Sequence, residues 1–215
     1  MYKNLANLTL KLTLNQMLIS NVHVGHTKKF LNVRIKPYLL GVRHNVYILN
    51  IVRTSFQFKL FINLIINIIS LRQKLLIIKE RDVYNFRNLL NVKRVYYSDK
   101  KWIGGTLTNF RQVRQSPKFK ADNYYYNALG TMRYMPALVF FFDVDLSKWA
   151  LGEVANLEIP IISIVDSNTS VLPIINYPII GNNKAFESLF LYLNLIINSV
   201  LKGQQKELLR ILRII

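Results

Sequence analysis

The chain has 215 residues, and its 29 Lys and Arg against 11 Asp and Glu give a formal net charge of +18. With 51% hydrophobic and 19% charged residues it lies outside the disordered class, and with no cysteine it has no disulfide framework, thiolate metal site or cysteine nucleophile. One core is the simplest arrangement at this length, and a compact domain this basic meets an anionic partner, nucleic acid or a membrane surface.

In chain order, Leu8–Val22 reads as a helix ending before Gly25, followed by a basic loop to about Gly41. Val46–Asn50 is a short apolar run that predicts a strand. Thr54 or Ser55 is placed to cap a helix to about Leu71. Within it Lys59, Asn63, Asn67 and Ser70 form one narrow polar stripe on an apolar helix. Leu75–Ile78 predicts a strand, Arg81–Leu90 a helix, Val95–Tyr97 a strand and Thr106–Val113 a short helix. A polar, Tyr-rich stretch, Ser116–Met135, comes next. Ala137–Phe142 is a strand, Leu146–Leu157 a helix, Pro160–Val165 a strand and Tyr177–Ile179 a short strand. Asn182 is placed to cap a long helix to Lys202, and Gln204–Arg213 reads as a separate terminal helix.

Strands alternating with helices require crossover connections, hence a parallel sheet. The strands are continuous apolar runs, which fits a sheet covered on both faces. The expectation is an α/β, doubly wound three-layer sandwich in one domain, 1–215. The apolar stretches Leu60–Ile69 and Leu189–Leu201 fall short of the roughly 20 residues of a membrane span, so none is expected.

A doubly wound fold invites nucleotide binding, but neither G-x-G-x-x-G nor G-x-x-x-x-G-K-[ST] occurs. Gly104-Gly105 offers a glycine pair, whose plain reading is a tight turn. Asp143, Asp145 and Asp166 end or follow strands at the carboxyl edge, where such folds place ligands. They could hold Mg²⁺, but no nucleophile motif completes a catalytic set, so they read as loop caps or partners of the basic half. His23 and His26 are three apart, but Gly25 intervenes and no third ligand is evident. No metal, cofactor or small-molecule substrate is therefore expected.

The charge is the informative feature. Residues 1–120 hold 22 Lys and Arg and three acids, whereas residues 121–215 hold seven and eight. Lys28, Lys29, Arg34, Lys36, Arg43, Lys100, Lys101, Arg111, Arg114, Lys118 and Lys120 are interleaved with Phe30, Tyr38, Trp102, Phe110, Phe119 and Tyr124–Tyr126. Cations take phosphates and aromatic rings stack on unpaired bases, so the series reads as one basic RNA-binding face.

Several motifs, in order, resemble the small-subunit ribosomal protein 2 family. They are Val22-His23-Val24-Gly25-His26; Lys36-Pro37-Tyr38; Arg43 with Val46–Asn50; and Trp102-Ile103-Gly104-Gly105-Thr106-Leu107-Thr108-Asn109-Phe110. Pro136-Ala137-Leu138 leading to Phe142-Asp143, Ile159-Pro160 leading to Asp166-Ser167-Asn168, and Tyr177–Asn182 follow. The resemblance implies a five-stranded parallel sheet in the flavodoxin-like order 2-1-3-4-5. It implies a structural, non-catalytic role on small-subunit rRNA at the junction of head and body, beside other ribosomal proteins. It gives His23, Gly25, His26, Trp102, Gly104, Gly105, Asn109, Asp143 and Asp166 as family-motif positions.

The bacterial form carries a long helical hairpin where this chain has a reduced insertion, 116–135. Residues 1–45 then form an N-terminal helix and rRNA-contacting loop, and 204–215 a helical tail. The residue usage (Asn, Ile, Lys, Phe and Tyr abundant, Gly scarce) matches AT-rich organelle codons, and Met1–Leu5 opens no transit peptide. A mitochondrially encoded protein of the mitochondrial ribosome is expected, with a plastid as second choice. The rival reading is a degenerate phosphotransfer or nucleotide-binding enzyme of the same topology.

Overall fold

The computed structural model describes residues 12–80, 92–115, 132 and 134–212. The expected helix over Arg81–Leu90, most of the insertion 116–135 and the ends of the chain lie outside them.

Five parallel strands form the centre: β4 (Leu75–Ile78), β5 (Val95–Ser98), β6 (Leu138–Phe141), β7 (Ile161–Val165) and β8 (Tyr177–Ile180). Their order across the sheet is β5-β4-β6-β7-β8, which is 2-1-3-4-5 in chain order, as expected. β4, β6 and β7 are buried at every position because both faces are covered. Successive side chains point to opposite faces, so one sheet feeds two cores. Leu75, Ile77, Leu138, Phe140, Ile162 and Ile164 face α1 (Leu14–Ile19), α2 (Ile51–Ser70) and α5 (Phe186–Leu212). Leu76, Ile78, Val139, Phe141, Ile161 and Val165 face α4 (Lys148–Asn156) and the loop around Trp102.

A second sheet departs from the sequence reading. Val46–Leu49 (β3) is a strand, but it pairs antiparallel with β1 (Val24–Thr27) and β2 (Leu39–Arg43) and stands outside the parallel sheet. The segment expected as one basic loop is thus two strands joined by 3₁₀ turns at Lys28–Phe30 and Val33–Tyr38. Other boundaries shift too. α2 is capped at Asn50, four residues before Thr54, the Asn50 side chain accepting from Val52 N and Arg53 N at 3.1 and 3.2 Å. Lys59, Asn63 and Asn67 lie on its wet side, whereas Ser70 is buried. Residues 104–109 form turns, and the short helix α3 begins only at Phe110 (Phe110–Gln115). Gly203 does not break the last helix, so Gln204 onward continues α5.

At 20 residues α2 is long and apolar enough to cross a membrane, contrary to the length argument. In the fold one side of it is core. Phe58 stacks on Tyr192 at 5.2 Å, and Phe61 stacks on Phe140 of the sheet at 5.2 Å. Ile62, Ile65 and Ile69 are buried beside them.

Candidate nucleic-acid interface

The small antiparallel sheet presents the first group of expected cations. Arg43 pairs with Val46 across a two-residue turn, His44-Asn45, in which both residues have positive φ (47° and 64°). That geometry matches the twist of the flanking strands and fits a type I′ hairpin turn. Lys28 N donates to Asn45 O at 2.9 Å. A hollow of about 610 Å³ is lined by Lys28, Lys29, Phe30 and Asn45. Arg34 and Lys36 stand on the second 3₁₀ turn, whose buried Ile35 anchors it. Lys28, Lys29, Arg34, Lys36 and Arg43 are all exposed, as is the Phe30 ring.

The family-motif positions dock this sheet on the carboxyl edge of the parallel one. His26 N donates to Ser167 Oγ at 2.8 Å, and His26 Nδ1 lies 3.0 Å from Asp166 Oδ2. The Asp166 carboxylate at this distance is the chief cause that raises the His26 pKa above its ordinary value, with burial opposing it. Asn32 N donates to Ser167 O at 2.9 Å and Asn32 Nδ2 to Thr169 O at 2.6 Å. A Cβ on Gly25 would sit 3.0 Å from Ser167 Oγ and 3.2 Å from Tyr47 O, tight enough that any other residue would push these neighbours back by a few tenths of an ångström. His26 is a strand residue, since α1 ends at Ile19, and the expected helical end at Gly25 does not occur.

The three acids at this edge are engaged internally. Asp143 accepts from Asp145 N and Leu146 N at 3.1 and 3.3 Å and pairs with Lys184 at 2.6 Å. Asp145 accepts from Ser170 N and Oγ. Asp166 takes Ser167 N at 2.5 Å besides His26. Among the described residues no group of three or more His, Asp or Glu is placed to hold a metal. His23 is half-buried, and its Nδ1 has no hydrogen-bond partner in the protein.

A second group of cations follows β5. Lys101 is exposed and Lys100 half-exposed, and both lead into the Trp102–Phe110 loop. Sequence reasoning missed the residue that holds this loop, Glu153 of α4. Its buried carboxylate accepts from Trp102 Nε1 at 2.9 Å, Gly105 N at 2.7 Å, Leu107 N at 2.8 Å and Thr108 N at 3.1 Å. Burial pushes its pKa up, but the Trp102, Leu107, Thr108 and Gly105 donors outweigh that and hold it below the usual carboxylate value. Neither threonine caps α3: Thr106 Oγ1 donates to Ile103 O, and Thr108 Oγ1 lies 3.4 Å from Glu153. Gly105 has φ +87°, a region costly for other residues, whereas the space around Gly104 is open. Asn109 N donates to Gly105 O at 2.9 Å and closes the turn. A sequence signal for Glu153 existed: it falls three residues after Ala150 and one before Val154, both buried.

Arg111 is exposed on α3, at the rim of a hollow of about 290 Å³ that also touches Met135 and Leu157. Arg114 belongs to the same helix, and Lys118 and Lys120 lie outside the described residues.

The chain matches the family model described as ribosomal protein S2 over residues 17–125 and again over 119–203. It is 30% identical over 226 residues to the small ribosomal subunit protein uS2 of Pseudoalteromonas atlantica, covering 91% of this chain and 93% of that one. Proteins of the same name from Tolumonas auensis (28%; 92% and 94%) and Buchnera aphidicola subsp. Cinara cedri (29%; 88% and 90%) are similar to it over comparable spans. The two matched segments overlap at 119–125, within the expected insertion.

Proposed function

The chain belongs to the ribosomal protein S2 family, and on that premise we propose that it is a non-catalytic structural constituent of the small ribosomal subunit. It binds small-subunit rRNA through the cations named above, beside neighbouring ribosomal proteins at the head–body junction. The observation that carries this reading is the docked hairpin sheet. It spends its motif residues on fixing a surface, Gly25 and His26 against Asp166 and Ser167, and leaves five cations facing solvent. Lys100, Lys101, Arg111, Arg114, Lys118 and Lys120 extend the contact. The enzyme alternative is disfavoured by the acids at the carboxyl edge, which are committed to His26, Lys184 and loop N–H groups.

The finer reading is a single domain of the mitochondrial ribosome, with an rRNA-contacting loop within residues 1–45, a reduced insertion at 116–135 and a helical tail at 204–215. The codon-biased composition supports the compartment, and the division of the family match at 119–125 supports the shortening.

Binding to structured small-subunit RNA at graded salt tests the core of this. The slope of log affinity on log salt should be roughly −0.7 to −0.9 per phosphate neutralised. Replacing Lys28, Lys29, Arg34 and Lys36 with Gln should flatten it, and replacing Lys206 and Arg210 should not. Affinity indifferent to salt would refute RNA binding. Tagged protein sedimenting with cytosolic or plastid subunits in place of mitochondrial ones would refute the compartment.

A further inference from the structure

The amino edge of the parallel sheet carries a concentration of charge apart from the cations considered so far. A cleft of about 910 Å³ opens where β4, β5 and β6 begin. Arg72, Lys74, Lys93 and Arg94 line it, together with Tyr96 and Tyr134. Each arginine stands just before a strand with left-handed backbone, φ +64° at Arg72 and +73° at Arg94, a conformation uncommon outside glycine. The two converge on one carboxylate oxygen of α5: Arg72 Nε and Arg94 Nη2 lie 3.0 and 2.5 Å from Glu207 Oε1. The rim is fixed from three sides. Gln204 Nε2 donates to Lys93 O at 2.9 Å, Ala137 N to Lys74 O at 2.9 Å and Leu75 N to Arg94 O at 3.0 Å.

One carboxylate does not balance four cations. Among the described residues, Glu207 is paired with the arginines, and neither Lys74 nor Lys93 has a carboxylate partner. Burial, and next the charge of Arg94, push the Lys74 amine below its ordinary pKa. Its Nζ lies 5.6 Å from the centroid of the Tyr96 ring. Tyr134, which lines the same cleft, is 69% exposed. A cluster of cations held together in a partly desolvated site is relieved by an anion. An exposed ring beside it adds a surface for a flat apolar group. A base inside a duplex shows its face only to its neighbours, so a ring reaches that face only where the base is unpaired.

We propose that this cleft binds an unpaired nucleotide of RNA, its phosphate between Lys74, Lys93 and Arg94 and its base against the Tyr134 ring. The proposal rests on the reading of the protein as RNA-binding and adds a contact on the edge away from the hairpin sheet. A strand of four residues puts those edges about 13 Å apart. The protein thereby engages RNA at both ends of its sheet.

Fluorescence anisotropy of a labelled oligouridylate with the purified full chain tests it, using Lys93→Gln, Tyr134→Ala and, as a control at an exposed position of α4, Lys148→Gln. Lys93 and Tyr134 are exposed, so both variants are expected to melt like the parent, and thermal melts check this. Tyr134→Ala should bind single-stranded RNA roughly tenfold more weakly while leaving a blunt RNA duplex unaffected. Lys93→Gln should reduce the salt slope by about 0.7, and Lys148→Gln should do neither. Wild-type affinity in Tyr134→Ala overturns the proposal. So does displacement of the RNA by polyglutamate as readily as by unlabelled oligouridylate, which would assign the cleft to an acidic protein segment. Displacement by uridine monophosphate at equal concentration would likewise assign it to a free nucleotide. The hairpin variant of Lys28, Lys29, Arg34 and Lys36 runs alongside. If it alone loses binding, the cleft proposal fails and the RNA-binding reading stands; if neither set loses binding, both fail.

Discussion

Two buried acids organise the carboxyl edge of the sheet, and they do so with different kinds of partner. Glu153 gathers neutral donors: an indole N–H and three backbone N–H groups from the Trp102–Thr108 loop. Asp166 holds the hairpin sheet through His26, whose charge depends on pH, and through Ser167. The first loop is therefore fixed by a charge whose partners cannot titrate. The docking of the hairpin contains a proton that can leave. The contrast separates a permanent element of the fold from one whose hold on the sheet is adjustable, and the adjustable one carries five of the expected RNA-contacting cations.

The largest expected effect tests the permanent element. Glu153→Ala leaves Trp102 Nε1 and three loop N–H groups without their acceptor, and should cost about 3–5 kcal/mol. Glu153→Gln keeps the volume but turns an NH₂ toward donors, and should cost about 2–3 kcal/mol. Urea unfolding measures both. Wild-type midpoints would show that the loop is held by its apolar residues Trp102 and Leu107 instead.

The neighbouring glycines sharpen the point, because only one is structurally required. Gly105→Ala forces a Cβ into positive φ and should cost about 1–2 kcal/mol. Gly104→Ala meets open space and should stay within about 0.5 kcal/mol of wild type. Equal losses at the two sites in thermal melts would contradict the geometry of this turn.

These two regions also differ in how far the sequence revealed them. The parallel sheet was legible because burial on both faces writes continuous apolar runs such as Leu75–Ile78 and Ile161–Val165. Val46–Leu49 carried the same signal, and a short apolar run does not encode whether its partner is parallel or antiparallel. β2 is mostly exposed, so no alternation marked it, and the basic residues around it read as loop. Asn50 was overlooked as a cap because Ile51 and Val52 continue the apolar run of the strand. Gly203 looked like a break but is buried against Ile69. For Glu153 the sequence showed only its place on the buried side of α4, beside Ala150 and Val154, and nothing of its role, because most of its donors are backbone N–H groups, which have no residue signature. The motif positions Gly25, His26 and Asp166 came from a resemblance, and their mutual contact came from the fold.

At the adjustable node, Asp166→Asn keeps the shape and removes the charge facing His26. A loss of about 1–2 kcal/mol is expected, from a weakened pair and altered loop contacts. Hydrogen exchange should locate it: the His26 and Asn32 amides, which donate to Ser167, should lose protection while Leu107 and Thr108 keep theirs. Equal loss in both groups would mean that the two nodes open as one unit.

The smallest effect is the pH dependence, and here the two nodes should diverge in sign. The His26 pKa is raised in the folded state, so folding favours its proton. Its contribution is full below the unfolded value near 6.5 and is lost as pH rises through the higher folded value. Glu153 is the reverse. Its folded pKa is lowered from 4.5, so its contribution is full above 4.5 and is lost as pH falls through the lower folded value. Stability should therefore decline on the acid side through the Trp102 loop and on the alkaline side of pH 6.5 through the hairpin. Urea unfolding across pH checks this in two variants. His26→Gln should remove the decline above pH 6.5 and leave the acid limb intact, whereas Glu153→Gln should flatten the acid limb alone. An alkaline limb that survives in His26→Gln would mean that the hairpin is docked by Ser167 and Gly25 packing, with the ion pair adding nothing measurable.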